Sequence, residues 1–448
     1  MIGLTIISRL LYTVILGLLL SISLNAQTTN DSTETKRWNF HYQNTNIYQY
    51  HPSFKAKYSG VNSLNPKDEA NTSITGTMYF GVRLWKGLSA YYNQEISGGS
   101  GFSETRGIAG FPNGEVYRVS DALPKIYIAR LYIRQVFGMS EDYQKVEDGI
   151  NQLSDYLPTS YLAITAGKFS ILDFFDDNKF SHDPRTQFFN WALMGNGSWD
   201  YPANTRGYIY GIVTELVKPK WAFRFASVMV PITANGAVMD KNIFRSHSEA
   251  LQVEYKYNFG NQSGIIRLLT FLTEARMGNY IKSIEWGLEN HIAPVIDSTN
   301  TLGRTKYGFG INVEHNFNKE VGAFFRASWN DGHNETWEFT EIDRAISSGF
   351  QLSGNIWNRT NDKLGLALLV NGLSNDHRNY LKAGGYGFII GDGNLNYQPE
   401  MIAELYYSYK LKDYPLWITP DYQFILNPAY NKDRGPVHAF GIRVHIEI

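Results

Sequence analysis

The sequence predicts an all-β protein: a 16-stranded antiparallel transmembrane β-barrel with short turns at one end, long loops at the other and one loop folded inward as a constriction. Three observations lead there. Sixteen segments beyond residue 26 alternate apolar and polar side chains, the period of a strand that meets a different solvent on each face. The connections between them are short or long according to parity, as in barrels whose two ends face different compartments. Finally, aromatic residues make up 15% of the 448 residues while mean hydropathy is only -0.30. No stretch beyond residue 26 approaches the roughly 20 apolar residues of a membrane helix, whereas a barrel hides its lipid face by alternation.

The first element is MIGLTIISRLLYTVILGLLLSISLNAQ, with Arg9, an apolar run from Leu10 to Leu20, and Leu24-Asn25-Ala26 ahead of polar QTTNDSTETK. It reads as a cleaved signal peptide over residues 1–26, leaving 27–448 as one transmembrane β-barrel domain. The sixteen segments lie near 38–50, 73–85, 88–96, 125–137, 161–169, 207–217, 221–230, 249–258, 264–274, 306–317, 321–330, 349–357, 363–373, 401–410, 416–426 and 439–448. In the second, Met78, Phe80, Val82 and Leu84 share a face opposite Tyr79, Gly81 and Arg83; in the eighth, Leu251, Val253, Tyr255 and Tyr257 oppose Gln252, Glu254 and Lys256. The last, FGIRVHIEI, places Phe440, Ile442, Val444, Ile446 and Ile448 toward lipid and Arg443, His445 and Glu447 toward water in the lumen. Lipid cannot satisfy an open sheet edge, so the last strand is expected to pair with the first.

Even-numbered connections are turn-like, including WKG at 85–87, KPK at 218–220, NFNKE at 316–320 and KDYP at 412–415. The exception is 138–160, where VEDGINQLSDYL has helical spacing and predicts a small periplasmic helix. The connection between segments five and six, about 170–206, is longer and richer in aromatic and charged residues than a solvent loop requires. Part of it is expected to fold inward and narrow a lumen that sixteen strands would otherwise leave open.

Period two then assigns the lumen. Arg83, Arg130, Arg134, Arg224, Arg267, Arg326 and Arg443 face Glu95, Glu215, Glu254, Glu314, Glu404, Asp421 and Glu447, interleaved with Tyr79, Tyr91, Tyr132 and Trp357. An anion or phosphate channel would show surplus cations and a cation channel surplus carboxylates. A balanced, aromatic-interleaved wall suits a neutral polyhydroxyl solute, although inward charges also pair simply to brace a barrel. The candidate pore-lining and solute-binding set is Arg83, Glu95, Arg130, Arg134, Lys168, Asp173, Arg224, Glu254, Arg326, Trp357, Glu404 and Asp421.

A net charge of -1 gives no reason to expect a nucleic-acid partner. Cysteine is absent, which removes thiolate metal sites and cysteine nucleophiles. Histidines are scattered without metal-ligand pairing, GGSGFS at 98–103 lacks the strand-to-helix context of a dinucleotide loop, and no Ser, His and acid grouping stands out. No catalytic residue, cofactor or metal is expected. Expected partners are small sugars and outer-membrane lipid, and an oligomer is neither required nor excluded.

Several blocks resemble the carbohydrate-selective, OprB-like porins: HPSFKAKYSGVNSL at 51–64, FPNGEVYRV at 111–119, GKFSILDFFDDNKFSHDPRTQFFNWAL at 167–193, DYPANTRGY at 200–208, ASWNDGHNE at 327–335, LVNGLSNDHRNYLKAGGYGFIIGDGNLNY at 369–397 and DYQFILNPAYNKDRGPV at 421–437. The resemblance implies a 16-stranded barrel in a Gram-negative outer membrane, passing monosaccharides and similar small sugars by facilitated diffusion. Competing functions are a general or phosphate-selective porin, an outer-membrane enzyme and a blocked adhesion barrel. The sequence departs from the family pattern at the terminal Ile448 in place of an aromatic residue, in the long 138–160 segment, and in YYNQEISGGSGFS, which lacks the proline usual before the acid.

Overall fold

A computed structural model describes residues 36–116 and 123–448, so the expected signal peptide lies outside the described residues. The strands are β1 (Trp38–His51), β2 (Glu69–Trp85), β3 (Leu88–Gly99), β4 (Lys125–Gly138), β5 (Tyr143–Val146), β6 (Asp155–Pro158), β7 (Tyr161–Phe169), β8 (Ile209–Val217) and β9 (Trp221–Met229). They continue with β10 (His247–Phe259), β11 (Gln262–Ala275), β12 (Arg304–Asn316), β13 (Val321–Asn330), β14 (Arg344–Ser353), β15 (Lys363–Gly372), β16 (Glu400–Lys410), β17 (Leu416–Leu426) and β18 (Val437–Glu447). All but β5 and β6 form one closed antiparallel barrel of sixteen strands, and β1 pairs with β18. Closure removes the unpaired edge that lipid cannot satisfy.

The two faces separate as the alternation predicts. Met78 and Ile442 are each 48% exposed on the outside, while Arg443, one residue from Ile442, is 1% exposed within. Exposed Trp38, Trp85, Trp221 and Phe259 lie beside the short turns, an aromatic girdle at that end. At the long-loop end, helices α1 (Tyr280–Glu289) and α2 (Asn375–Lys382) meet through Tyr280, whose ring stacks on that of His377 at 4.3 Å.

Two local expectations change. The 138–160 connection is a β-hairpin, not a helix. Val146, Ile150, Leu153 and Leu157 have helical spacing, but Gly149 and Gln152 exchange backbone hydrogen bonds of 3.0 and 3.1 Å around a left-handed Asn151, φ 53°. That turn folds β6 back onto β5, with Tyr143 opposite Pro158 and Val146 opposite Asp155. The second change is at the twelfth segment. Its strand ends at Ser353, whose side chain caps a 3-10 turn over Gly354–Trp357, so Trp357 leaves the strand alternation that would have aimed it inward.

Candidate solute conduit

Residues 170–208 join β7 to β8 and run inside the barrel, contributing much of its core through buried Phe175, Phe188, Phe189, Trp191 and Trp199. The segment contains only short 3-10 turns, so most of its peptide groups need partners from elsewhere. The wall formed by β12, β13 and β16–β18 supplies them. Arg443 donates to the carbonyls of Pro184 and Gln187, each at 2.7 Å. Arg326 donates to the carbonyls of Ser181 at 2.6 Å, Asp176 at 3.1 Å and Leu193 at 3.1 Å. Glu404 accepts from the backbone N–H of Phe189 and of Asn190, and Asn312 binds the Asp176 carboxylate at 2.6 Å. Asp421, 5% exposed, accepts from Gln423, which also donates to the Pro112 carbonyl. Arg326, Glu404 and Arg443 therefore face inward but meet the loop, and buried Asp421 meets Gln423, so none of the four faces lumen water.

The opposite side stays open as a cavity of about 730 Å³ bordered by β2–β4, β7, β8, the loop and the β5–β6 hairpin. Glu95 is its most heavily bonded carboxylate. It accepts from Thr77 at 2.7 Å, from Tyr208 at 3.0 and 3.1 Å, and from Tyr127. Arg185, carried by the loop, closes on it at 3.0 Å and holds Glu115 at 2.9 Å and the Tyr79 hydroxyl at 3.1 Å. Beside this group, Arg130 makes a two-pronged bond to Asp173, 2.7 Å from Nε and 2.6 Å from Nη2, and lies 5.2 Å over the Tyr208 ring. Bidentate geometry fixes the guanidinium plane as well as its position. A register shift opposite Asn93 and Gln94 lets both Tyr127 and Arg130 point inward, although strict alternation would put them on opposite faces.

Deeper in the wall the charges form a chain across strands. Arg134 pairs with Glu215; Glu215 with Arg224 at 3.3 Å; Arg224 with Glu254 at 3.1 Å; Glu254 with Arg267 at 3.0 Å; and Arg267 with Glu314 at 3.2 Å. Signs alternate, so the band is neutral as a whole.

Of the predicted set, Glu95, Arg130, Arg134 and Asp173 border the cavity. Arg224 and Glu254 belong to the charge chain. Arg83 sits at the turn end and binds the hairpin, through Asp155 at 3.1 Å and the Ser154 carbonyl at 2.9 Å. Arg326, Glu404 and Asp421, assigned to the pore lining, are instead buried away from the cavity, and two further assignments are corrected. Lys168 pairs in register with outward Leu131 and Tyr210, and donates at 2.7 Å to the Ile128 carbonyl. Trp357 bonds Tyr407 at 3.1 Å on the outer face at the turn end. The sequence reading missed Arg185, Glu115, Tyr127 and Tyr208. The DPRTQ motif offered a signal for Arg185, but Tyr127 was hidden by the bulge, and the other two depend on how the loops fold.

A family model described as carbohydrate-selective porin, OprB family, matches residues 62–448. The chain belongs to the OprB family of carbohydrate-selective porins. Among solved structures, this OprB-family chain is similar to the high-pH structure of Pseudomonas putida OprB, with 14% identity, coverage of 92% of this chain and 94% of that one, and a TM-score of 0.67. It is also similar to the outer membrane channel DcaP of Acinetobacter baumannii, at 9% identity, coverage of 94% and 100%, and a TM-score of 0.51. At such identities the likeness concerns the fold. No curated protein matches in sequence.

Proposed function

We propose that this OprB-family porin conducts monosaccharides and other small neutral sugars by facilitated diffusion, with no covalent step and no catalytic residue. Its place is the outer membrane of a Gram-negative bacterium after removal of residues 1–26, with the short turns in the periplasm and the long loops outside. The observation that supports the reading is the meeting of Glu95, Arg130, Asp173 and Arg185 with the Tyr127 and Tyr208 rings on one cavity. A sugar hydroxyl can donate to a carboxylate and accept from a guanidinium, replacing its water at little cost, while an aromatic face covers the apolar side of the ring. Charged partners make each such bond worth about 1.5–3 kcal/mol. Those partners already bond one another, so a sugar exchanges bonds and is held weakly, as transport requires.

Phosphate selectivity would call for surplus cations, whereas here three arginines on the cavity have a carboxylate within reach: Arg130 with Asp173, Arg134 with Glu215, Arg185 with Glu95 and Glu115. Liposome swelling tests the choice. Vesicles containing the protein should swell fastest in glucose, more slowly in disaccharides and slowest in phosphate at matched osmolarity. Swelling fastest in phosphate would reject the sugar reading.

A further inference from the structure

The hairpin of residues 139–160 approaches the cavity from the end opposite the long loops. Short turns of the barrel have no need of this segment, since neighbouring strands are joined by as little as Lys86-Gly87. It folds back against the inner wall of β1–β3. Asn39 donates to Asp148 at 2.6 Å and to the carbonyl of Gln152 at 2.8 Å, Lys36 reaches Asp148 at 3.0 Å, and Arg83 holds Asp155 at 3.1 Å. At the tip, Asn93 donates to Asn151 at 2.8 Å, and Leu153 is buried with Tyr91 and Tyr132. Asn93 lies five residues beyond Leu88, the first residue of β3, or about 17 Å along the strand at roughly 3.4 Å per residue. The tip thus stands well inside the barrel, bordering the same cavity as Arg134 and Tyr161.

The geometry points to a second, size-setting restriction of the conduit, formed by the hairpin tip and the β4–β7 wall in series with the long loop. It rests on the sugar-conduit reading of the cavity. Its chemistry is that of a size filter, because the tip presents the amides of Asn151 and Gln152 while Asp148 and Asp155 are matched by Lys36 and Arg83. Neutral hydroxylated solutes exchange hydrogen bonds with those amides, and solutes too wide for the remaining gap stop there.

Single-channel recording in planar bilayers tests the restriction apart from the sugar reading. A bulky thiol reagent should lower the conductance of the Gln152→Cys channel, whose cysteine is the sole one of the chain, by about half or more relative to the same channel before treatment. Replacing 144–157 with a short Gly-Ser linker should raise conductance by about twofold and admit larger polyethylene glycols from the turn side. Oxidising the Asn93→Cys, Asn151→Cys channel should leave its conductance as it was before oxidation, because the tip already rests there. The proposal is overturned if the reagent has no effect on the Gln152→Cys channel, if the shortened channel conducts as the parent does, or if cross-linking alone closes the pore. Glucose block of the parent current reports on the sugar reading alone: its absence alongside a positive reagent result would reject sugar selectivity and leave the restriction standing.

Discussion

Two parts of one inner wall carry the same kinds of side chain and do different work. On β13, β16 and β18 the inward Arg326, Glu404 and Arg443 are at most 1% exposed and serve the backbone of the 170–208 loop. On β3 and β4, Glu95 and Arg130 are equally well bonded, yet they border an open cavity. The strands do not explain the contrast, since both walls aim these charges inward. The loop does, because its irregular backbone brings unpaired carbonyls and N–H groups, which need charged partners on whichever wall it leans against. An inward charge in a barrel is therefore a pore residue only where no distant segment covers it.

The contrast breaks most visibly at Arg326. Arg326→Ala would strand the Ser181, Asp176 and Leu193 carbonyls in a buried place. Losing one partner of such a network costs about 3–5 kcal/mol, and we expect a clear fall in the temperature at which the barrel loses its heat-resistant gel migration. Parent-like migration would mean that the loop is not fastened to this wall.

A smaller effect is expected at the outer loops. Burial raises the Glu335 carboxyl to about 8, against an ordinary value of 4.5, while its contact with the Gly278 N–H opposes the shift. Between those two values the folded protein binds the proton and the unfolded chain does not. This contribution is complete below pH 4.5 and is lost as pH rises through about 8. Amide exchange in 331–343, corrected for intrinsic rate, should be faster at pH 9 than at pH 6, and Glu335→Gln should flatten the difference. Equal protection at both pH values in the parent would refute it. The smallest effect belongs to Trp357→Phe, which removes an outward bond to Tyr407 and should leave conductance and glucose block unchanged; a weakened block would restore Trp357 to the lumen.

Much of the fold was legible because its cause is local. Alternation fixes which face each strand buries, and a one-residue slip would expose every polar side chain to lipid, so Met78 and Ile442 were assignable from neighbours alone. What was not legible depended on contacts distant in sequence. Whether Arg326 meets water or the Ser181 carbonyl depends on a segment 145 positions away in the chain. Tyr127 was missed because a bulge on β4 shifts what period two assumes to be regular, whereas Lys168 keeps the parity of outward Ile164 on an unbroken β7 and was simply assigned to the wrong face. The hairpin concealed itself differently, through apolar spacing that fits a helix until Gly149 and Asn151 turn the chain.

The central claim is that solute meets the β3–β4 wall. Titrating glucose against single-channel current tests it most directly, comparing the parent with Arg130→Ala. Arg130 spans Asp173 and Tyr208 on the cavity side, where water can take over its bonds. The account predicts roughly tenfold weaker glucose block, about 1.4 kcal/mol, with heat-resistant gel migration intact. Glucose block equal to the parent's in a properly folded Arg130→Ala channel would contradict it.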